Sequence, residues 1–498
     1  GHIVGPDGAC MAVGIQGCDD MFIDPETGLC DPSLVDCPLG SIPIFGGDDQ
    51  GCRPVGIQGC DDMFIDPETG MCDPAYLECP PGQIPIFSGE DQGCRAIGIV
   101  DCHPDFFDAE TGRCDPQEDA CPEGSMAIPT QGCVSLDPPG GCGEGTWGNI
   151  EELPGDVHLD VNYTGDDSDG SREKPWTLYG YAIGQVQPGG RVVFAAGDYD
   201  KGILVSKSIS LVGRCSSMVT LSGTRQGLLG STVLEIKGDV VAHVSDLTVS
   251  GAGFGIVAIS GAQASLARLE ITGNQGDGVS AVGAGTSVEI TDALITSMKL
   301  APDGDRGGGV IAATGASLSL KRSVVSENHS YAAYAYGVGT TLSIDQSWLH
   351  ATKLNGDGAS GVGLLATQGS SVSLAQTHLS ENHSMGLYIA GSQTQVNATE
   401  VAVVRSLPTP EGYAGSGAQV SGGASLTMIR SRIADNHDAG ILIAGGGSQL
   451  TLEDSEVSGV TEAHPVSIAA GLSLLEGATA SIHRVRLAGN FSGLVVSD

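Results

Sequence analysis

Asn274, Asn328, Asn382, Asn436 and Asn490 recur with a constant period of 54 and no net insertion between them. Three keep closely matching surroundings, Ser326-Glu327-Asn328-His329-Ser330, Ser380-Glu381-Asn382-His383-Ser384 and Ala434-Asp435-Asn436-His437-Asp438. A beat held this strictly demands stacked units of constant length, so this part of the chain must be a solenoid whose units pack on their neighbours.

The segments between the asparagines say what kind. Gly309-Val310-Ile311-Ala312-Ala313-Thr314, Ser317-Leu318-Ser319-Leu320 and Ser323-Val324-Val325 return one period later as Gly363-Leu364-Leu365-Ala366-Thr367, Ser371-Val372-Ser373-Leu374 and Thr377-His378-Leu379. Short alternating strands cut by glycine corners fit three-faced β coils and not helices. One coil needs about half of that period, so the repeat is a pair of rungs. The longer rung of each pair carries extra residues at 300–305, 354–357, 407–411 and 460–465. These insertions predict a stripe of loops down one edge, from which Lys299, Asp303, Asp305, Arg306, Lys353, Asp357, Glu411 and Glu462 project. Such a stripe suits a repeating ligand, a neighbouring subunit or the N-terminal segment folding back; the plain alternative is a set of tolerated surface insertions.

His329, His383 and His437 invite comparison with a metal ladder, and geometry argues against it. Residues two rungs apart are roughly 10 Å from each other, whereas metal–imidazole bonds are about 2 Å. The asparagines are better explained as turn residues, tolerant of left-handed backbone and able to satisfy corner amides.

A different repeat fills residues 1–142. Gly14-Ile15-Gln16-Gly17-Cys18 returns at Gly56-Ile57-Gln58-Gly59-Cys60 and as Gly98-Ile99-Val100-Asp101-Cys102, a period of 42. Modules of about 40 residues rarely fold unaided, and four cysteines in each supply the staples. Two in-phase pairings are open. One closes hairpins: Cys18 with Cys30, Cys37 with Cys52, Cys60 with Cys72, Cys79 with Cys94, Cys102 with Cys114 and Cys121 with Cys133, leaving Cys142 for Cys215. The other joins neighbours from Cys10–Cys18 to Cys133–Cys142. Asp-Pro-Glu-Thr-Gly and Gly-Gly-Asp-Asp are natural turn centres, which favours the first. Gly1 then aligns with Gly40, Gly82 and Gly124, so a partner for Cys10 is expected upstream of Gly1.

Fourteen of fifteen cysteines lie before residue 143, and such density belongs to an oxidising compartment. A secreted or cell-surface protein is expected. No apolar run is long enough to span a membrane. The net charge of −38 argues strongly against nucleic acid and anionic membranes as partners, since phosphates would be repelled. Residues 1–142 hold 26 acidic residues against Arg53, Arg95 and Arg113. Their repeated Asp pairs offer weak calcium ligands, though turn formation explains them more simply. Asn162, Asn328, Asn382, Asn397 and Asn490 match the glycosylation triplet, which by itself decides nothing.

Residues 143–191 link the two repeats. Asn162-Tyr163-Thr164-Gly165-Asp166-Asp167-Ser168-Asp169-Gly170 leads to Lys174-Pro175-Trp176, then Pro188-Gly189-Gly190 and the apolar run Arg191-Val192-Val193-Phe194. This passage resembles the N-terminal cap of secreted, pectate-lyase-like right-handed parallel β-helix proteins, and the resemblance to their repeats continues over 192–498. It implies a helix covering the open first rung, which protects an edge prone to aggregation. Asp166, Asp167 and Asp169 are oxygen ligands at calcium-like spacing, without a complete EF-hand pattern. The cysteine modules, with Gly213-Arg214-Cys215 in the first coils, resemble large exported proteins of myxobacteria-like bacteria.

The family also implies polysaccharide lyases and hydrolases, but here the residues depart from it. Asn-Thr-Asp and Gly-His-Gly are missing, Asp166-Asp167 lies outside the coils, and no Asp/Arg cluster recurs on adjacent rungs. The expectation is therefore an all-β extracellular protein, structural or adhesive, with a module array at 1–142, a cap at 143–191 and a right-handed parallel β-helix at 192–498. Partners would be other copies of itself, cell-surface components or polysaccharide. The alternative is a calcium-dependent lyase or hydrolase.

Overall fold

In the computed structural model the described residues are all except 1, 5–9, 13–17, 19, 46–50, 57–58, 74–75, 88–91, 303, 461–468 and 498, and the side chains of 2–4 and 10–12. The chain forms two compact units, Gly1–Arg95 and Ala96–Asp498.

The first unit has little regular structure. Antiparallel pairs such as Ser41–Ile44 with Gly51–Pro54 are joined by disulfides Cys18–Cys30, Cys37–Cys52, Cys60–Cys72 and Cys79–Cys94. The second unit adds Cys102–Cys114, Cys121–Cys133 and Cys142–Cys215. The hairpin pairing is thus the one the chain adopts. Its turns are self-supporting: Asp24 accepts from Glu26 N at 2.9 Å and Thr27 Oγ1 at 2.6 Å, and Asp66 and Asp108 repeat the arrangement. Those bonds hold all three carboxyls below the usual range. Phe22 is buried in the first module, and Phe64, Ile84 and Ile86 in the second.

The second unit is a parallel β coil. Helix Tyr179–Gln185 buries Ala182 against the first rung, and Val157–Leu159 pairs with Arg191–Phe194 beneath it. Each rung then contributes strands to three faces. On the first lie Val310–Ala313, Ser330–Tyr336, Gly361–Thr367 and Ser384–Ala390. On the second lie Ser317–Lys321, Thr341–Asp345 and Ser371–Ala375, and on the third Val324–Ser326, Trp348–His350 and His378–Ser380. Ser287 pairs with Ser317, Ser317 with Thr341, Thr341 with Ser371 and Ser371 with Gln395. A long step, as from Ser287 to Ser317, alternates with a short one, as from Ser317 to Thr341, and the two together make the repeated beat of the sequence.

The interior is one column of small aliphatic side chains from Leu159 to Leu472. Each fully buried Leu, Ile or Val contributes about 1.5–3 kcal/mol of transfer free energy, which is how a chain with 4% aromatic residues stabilises so long a body. Three further columns fix the register. Asn328 accepts from Met298 N at 3.0 Å and donates to Ile295 O at 2.9 Å, tying its rung to the one before, and Asn274, Asn382, Asn436 and Asn490 do the same. The left-handed residue is not the asparagine but its predecessor, Glu327, Glu381 or Asp435, because the amide must point inward to reach two backbone groups. Glycines form the wall opposite. A Cβ on Gly363 would sit 2.8 Å from Asn382 Nδ2, and one on Gly386 would overlap Val403 Cγ1.

The third column lies at the corner between the second and third faces. Asp246, Arg268, Asp292, Arg322, Gln346, Gln376, Glu400, Arg430, Asp454 and Arg484 occupy successive rungs, all with positive φ. Neighbours are complementary: Arg322 makes two 2.8 Å bonds to Asp292, Gln346 donates to Gln376 at 3.1 Å, and Arg430 donates to Glu400 at 2.7 Å. The bonds help offset a left-handed cost of about 1–2 kcal/mol at each non-glycine corner.

Candidate functional site

The three faces differ in chemistry, and that difference locates the site. The second face presents Ser317, Thr341 and Ser371 to solvent. The third is covered over its middle rungs: the module beginning at Ala96 lies on it, burying Val324, Trp348, Ala402, Val404 and Ala434 with Ile99, Met126 and Ile128. A polar frame surrounds this contact. Arg405 donates to Asp115 at 2.6 Å, His350 Nε2 lies 2.8 Å from Glu118 Oε1, and Gln376 donates to Asp101 at 2.9 Å. Arg113 pairs with Asp435, and Arg432 donates to Gly112 O at 3.2 Å. The Glu118 carboxyl is held below its ordinary range by His350. At the centre, His378 is 1% exposed, and burial with the nearby Arg405 charge pushes it down to about 3. Trp348 stacks on His350 at 3.8 Å and is buried under the module, so it is not open to a ligand.

The first face and its loop edge remain open. Loops leave the coil after Lys299, Lys353 and Leu407, where isolated bridges join Gln275 to Lys299, His329 to Lys353 and His383 to Leu407. Successive loops touch, Gly356 N donating to Gly304 O at 2.8 Å, although they arise two rungs apart. Lys299, Asp305, Arg306, Lys353, Asp357 and Glu411 are all exposed along this edge. Asp303 and Glu462 lie outside the described residues. Lys353 is 3.0 Å from Glu327, and Arg306 lies 5.5 Å over the Phe254 ring. His329, His383 and His437 sit inside the edge, with Nδ1 against the carbonyls of Leu354, Thr352 and Ala414.

Sequence reasoning missed the groups behind the loops. Asp277, 3% exposed, accepts from Tyr331 Oη at 2.8 Å and Gly308 N at 3.1 Å, anchoring the base of loop 300–309. Burial raises the pKa of both side chains. Beside them the first face carries a half-buried, mostly apolar column, Ile311, Tyr334, Leu365, Tyr388, Gln419 and Leu442, linked rung to rung. The signal was present as alternation in Tyr331-Ala332-Ala333-Tyr334-Ala335-Tyr336.

The acidic loop of the cap is differently used. Lys174 Nζ lies 2.7 Å from one Asp167 oxygen, and Tyr163 donates to the other at 2.9 Å. Asp169 accepts from Ser171 N, and Asp166 is exposed. An ammonium thus sits on Asp167, with Asp166 and Asp169 exposed beside it. Among the described residues, the metal-ligating atoms found within reach of one another belong to Asp137, Cys142 and Cys215, and both sulfurs are in a disulfide.

The right handed beta helix region family matches residues 232–403 and 362–498, together more than half of the chain. The chain belongs to that family. No curated protein matches it. Solved structures that resemble it include a GH136 lacto-N-biosidase from Eubacterium ramulus, at 10% identity and TM-score 0.38 over 69% of this chain and 67% of that one. An alginate lyase from Paenibacillus sp. has 14% identity and TM-score 0.35 over 69% and 99%, and pectate lyase Pel9A 13% and 0.31 over 66% and 78%. Among the described residues, no helix is long and apolar enough to cross a membrane.

Proposed function

We propose that this is an extracellular structural protein that makes its contacts through the loop edge and first face of the coil. The observation that carries the reading is the contact between loops two rungs apart, which sets Lys299 and Lys353 at matching places, roughly 10 Å from each other. A repeating partner, whether a polysaccharide, a cell-surface component or a further copy of the chain, would meet the same groups at each step. Seven disulfides suit an oxidising exterior. The net charge of −38 disfavours nucleic acid.

The test is binding of the whole protein to arrayed polysaccharides and to cells, before and after Lys299→Glu with Lys353→Glu and, separately, Leu365→Asp. Loss of binding in both variants, with circular dichroism unchanged, is expected. Retention in both would remove the edge from consideration.

A second reading, catalysis on a polysaccharide, is supported by the buried carboxyl of Asp277 beside Tyr331, whose pKa burial raises. Its burial argues for an anchor instead. Release of unsaturated or reducing ends, with and without added calcium, and its loss in Asp277→Asn would favour the enzyme.

A further inference from the structure

The third module shows how a cysteine module recognises a coil, and the first two carry the same contact positions with other side chains. The residue before the second hairpin cysteine is Arg113 in the third module but Leu29 and Met71 in the others. The residue four places after that cysteine is Glu118 in the third, Leu34 and Tyr76 in the others. Arg113 and Glu118 are the residues that touch Asp435 and His350 on the coil. Their counterparts face solvent: Leu29 is 38%, Leu34 47%, Met71 42% and Tyr76 52% exposed. The aspartate between these positions, Asp115 against Arg405, is kept as Asp31 and Asp73. One recognition surface therefore exists in two versions, a polar one seated on the third face and an apolar one with an acidic centre.

The coil offers a matching surface. The column Ile311, Tyr334, Leu365 and Tyr388 is apolar, and the loop edge beside it carries Lys299 and Lys353. Residues 1–95 hold 17 acidic residues against Arg53 and Arg95, a net of 2 − 17 = −15. The seat of the third module already shows the polarity required, with Asp115 and Glu118 from the module and Arg405 and His350 from the coil, around an apolar centre. We propose that the apolar faces of the first two modules dock on the first face and loop edge of a second copy. This rests on the reading that the loop edge is the contact surface. Because the two halves of the contact are different surfaces, it is heterologous and propagates into a filament unless the rotation closes a ring.

Sedimentation velocity of the full chain tests this, with Leu29→Asp/Leu34→Asp/Met71→Asp/Tyr76→Asp as the array variant and Lys299→Glu/Leu365→Asp as the coil variant. The wild type should associate with rising concentration, more weakly as salt shortens the Debye length, and each variant should weaken association at least tenfold. Mixing the two variants should restore a dimer, since each retains the half that the other lacks, and should build nothing longer. Association of the array variant at wild-type strength, with loss in the coil variant, would overturn the assignment of the occupant and leave the contact face standing. Wild-type association in the coil variant would remove both. A wild type that stays monomeric at every concentration and salt would also refute the proposal.

Discussion

Asn382 shows what the repeated beat is for at the level of single atoms. Its Oδ1 accepts from Thr352 N at 3.2 Å and from Thr352 Oγ1 at 2.6 Å, and its Nδ2 donates to Leu349 O at 3.1 Å, all without access to water. Asn382→Ala leaves a buried donor and a buried acceptor unpaired, and equilibrium urea unfolding should record a loss of about 2–4 kcal/mol. Gly386→Ala reaches the same place from the opposite wall. Its new Cβ would meet Val403 Cγ1 and, at 2.6 Å, Gly417 O; since a backbone carbonyl cannot swing aside, the expected cost is about 1–3 kcal/mol. At the corner column, Asp292→Arg sets an arginine between Arg268 and Arg322 and should destabilise by about 1 kcal/mol, the pairs being partly exposed. Adding Arg322→Asp should recover part of the loss in a double-mutant cycle.

The docked third module is the element whose behaviour should depend on pH. The unfolded chain takes up a proton on His378 near pH 6.5, whereas the folded state refuses it until about 3. The stability of the neutral, buried form is therefore complete above the higher value and falls as pH drops through that window. Glu118, held low by His350, adds a loss of the same sign below its unfolded value. Trp348 lies in the interface, so its fluorescence during acid titration should report the module loosening, and His378→Gln should shift that transition to lower pH. Rungs and hairpin disulfides were legible in the sequence, because a fixed period and a turn sequence are local properties. The seat of the third module was not, since Asp115 and Arg405 are 290 residues apart. The clue lay in the places where the third module departs from its siblings, Arg113 and Glu118, and a departure from a repeat is easily passed over as drift. The corner column escaped for another reason: the step between its members is not constant and the members differ in chemistry, so no single motif marks them.

At the scale of the molecule, two kinds of stability coexist. The modules of Gly1–Arg95 are held by four disulfides around a few buried side chains, while the coil has a continuous aliphatic interior. Reduction under native conditions should open Gly1–Arg95 to protease and leave the far-ultraviolet β signal of the coil nearly unchanged. Loss of that signal on reduction would show that the coil depends on Cys142–Cys215. The alternating corner column bears on how a coil like this can change length. Outside the neutral Gln346–Gln376 pair, copying a single rung would set like charges side by side at a left-handed corner, and in every case it would put the asparagine clamp out of step by one rung. Copying two preserves both the sign alternation and the clamp. Parity is thus conserved by the asparagine clamp and, on the charged rungs, by electrostatics, and lineages of this protein should differ in length by whole pairs of rungs and not by single turns of the coil.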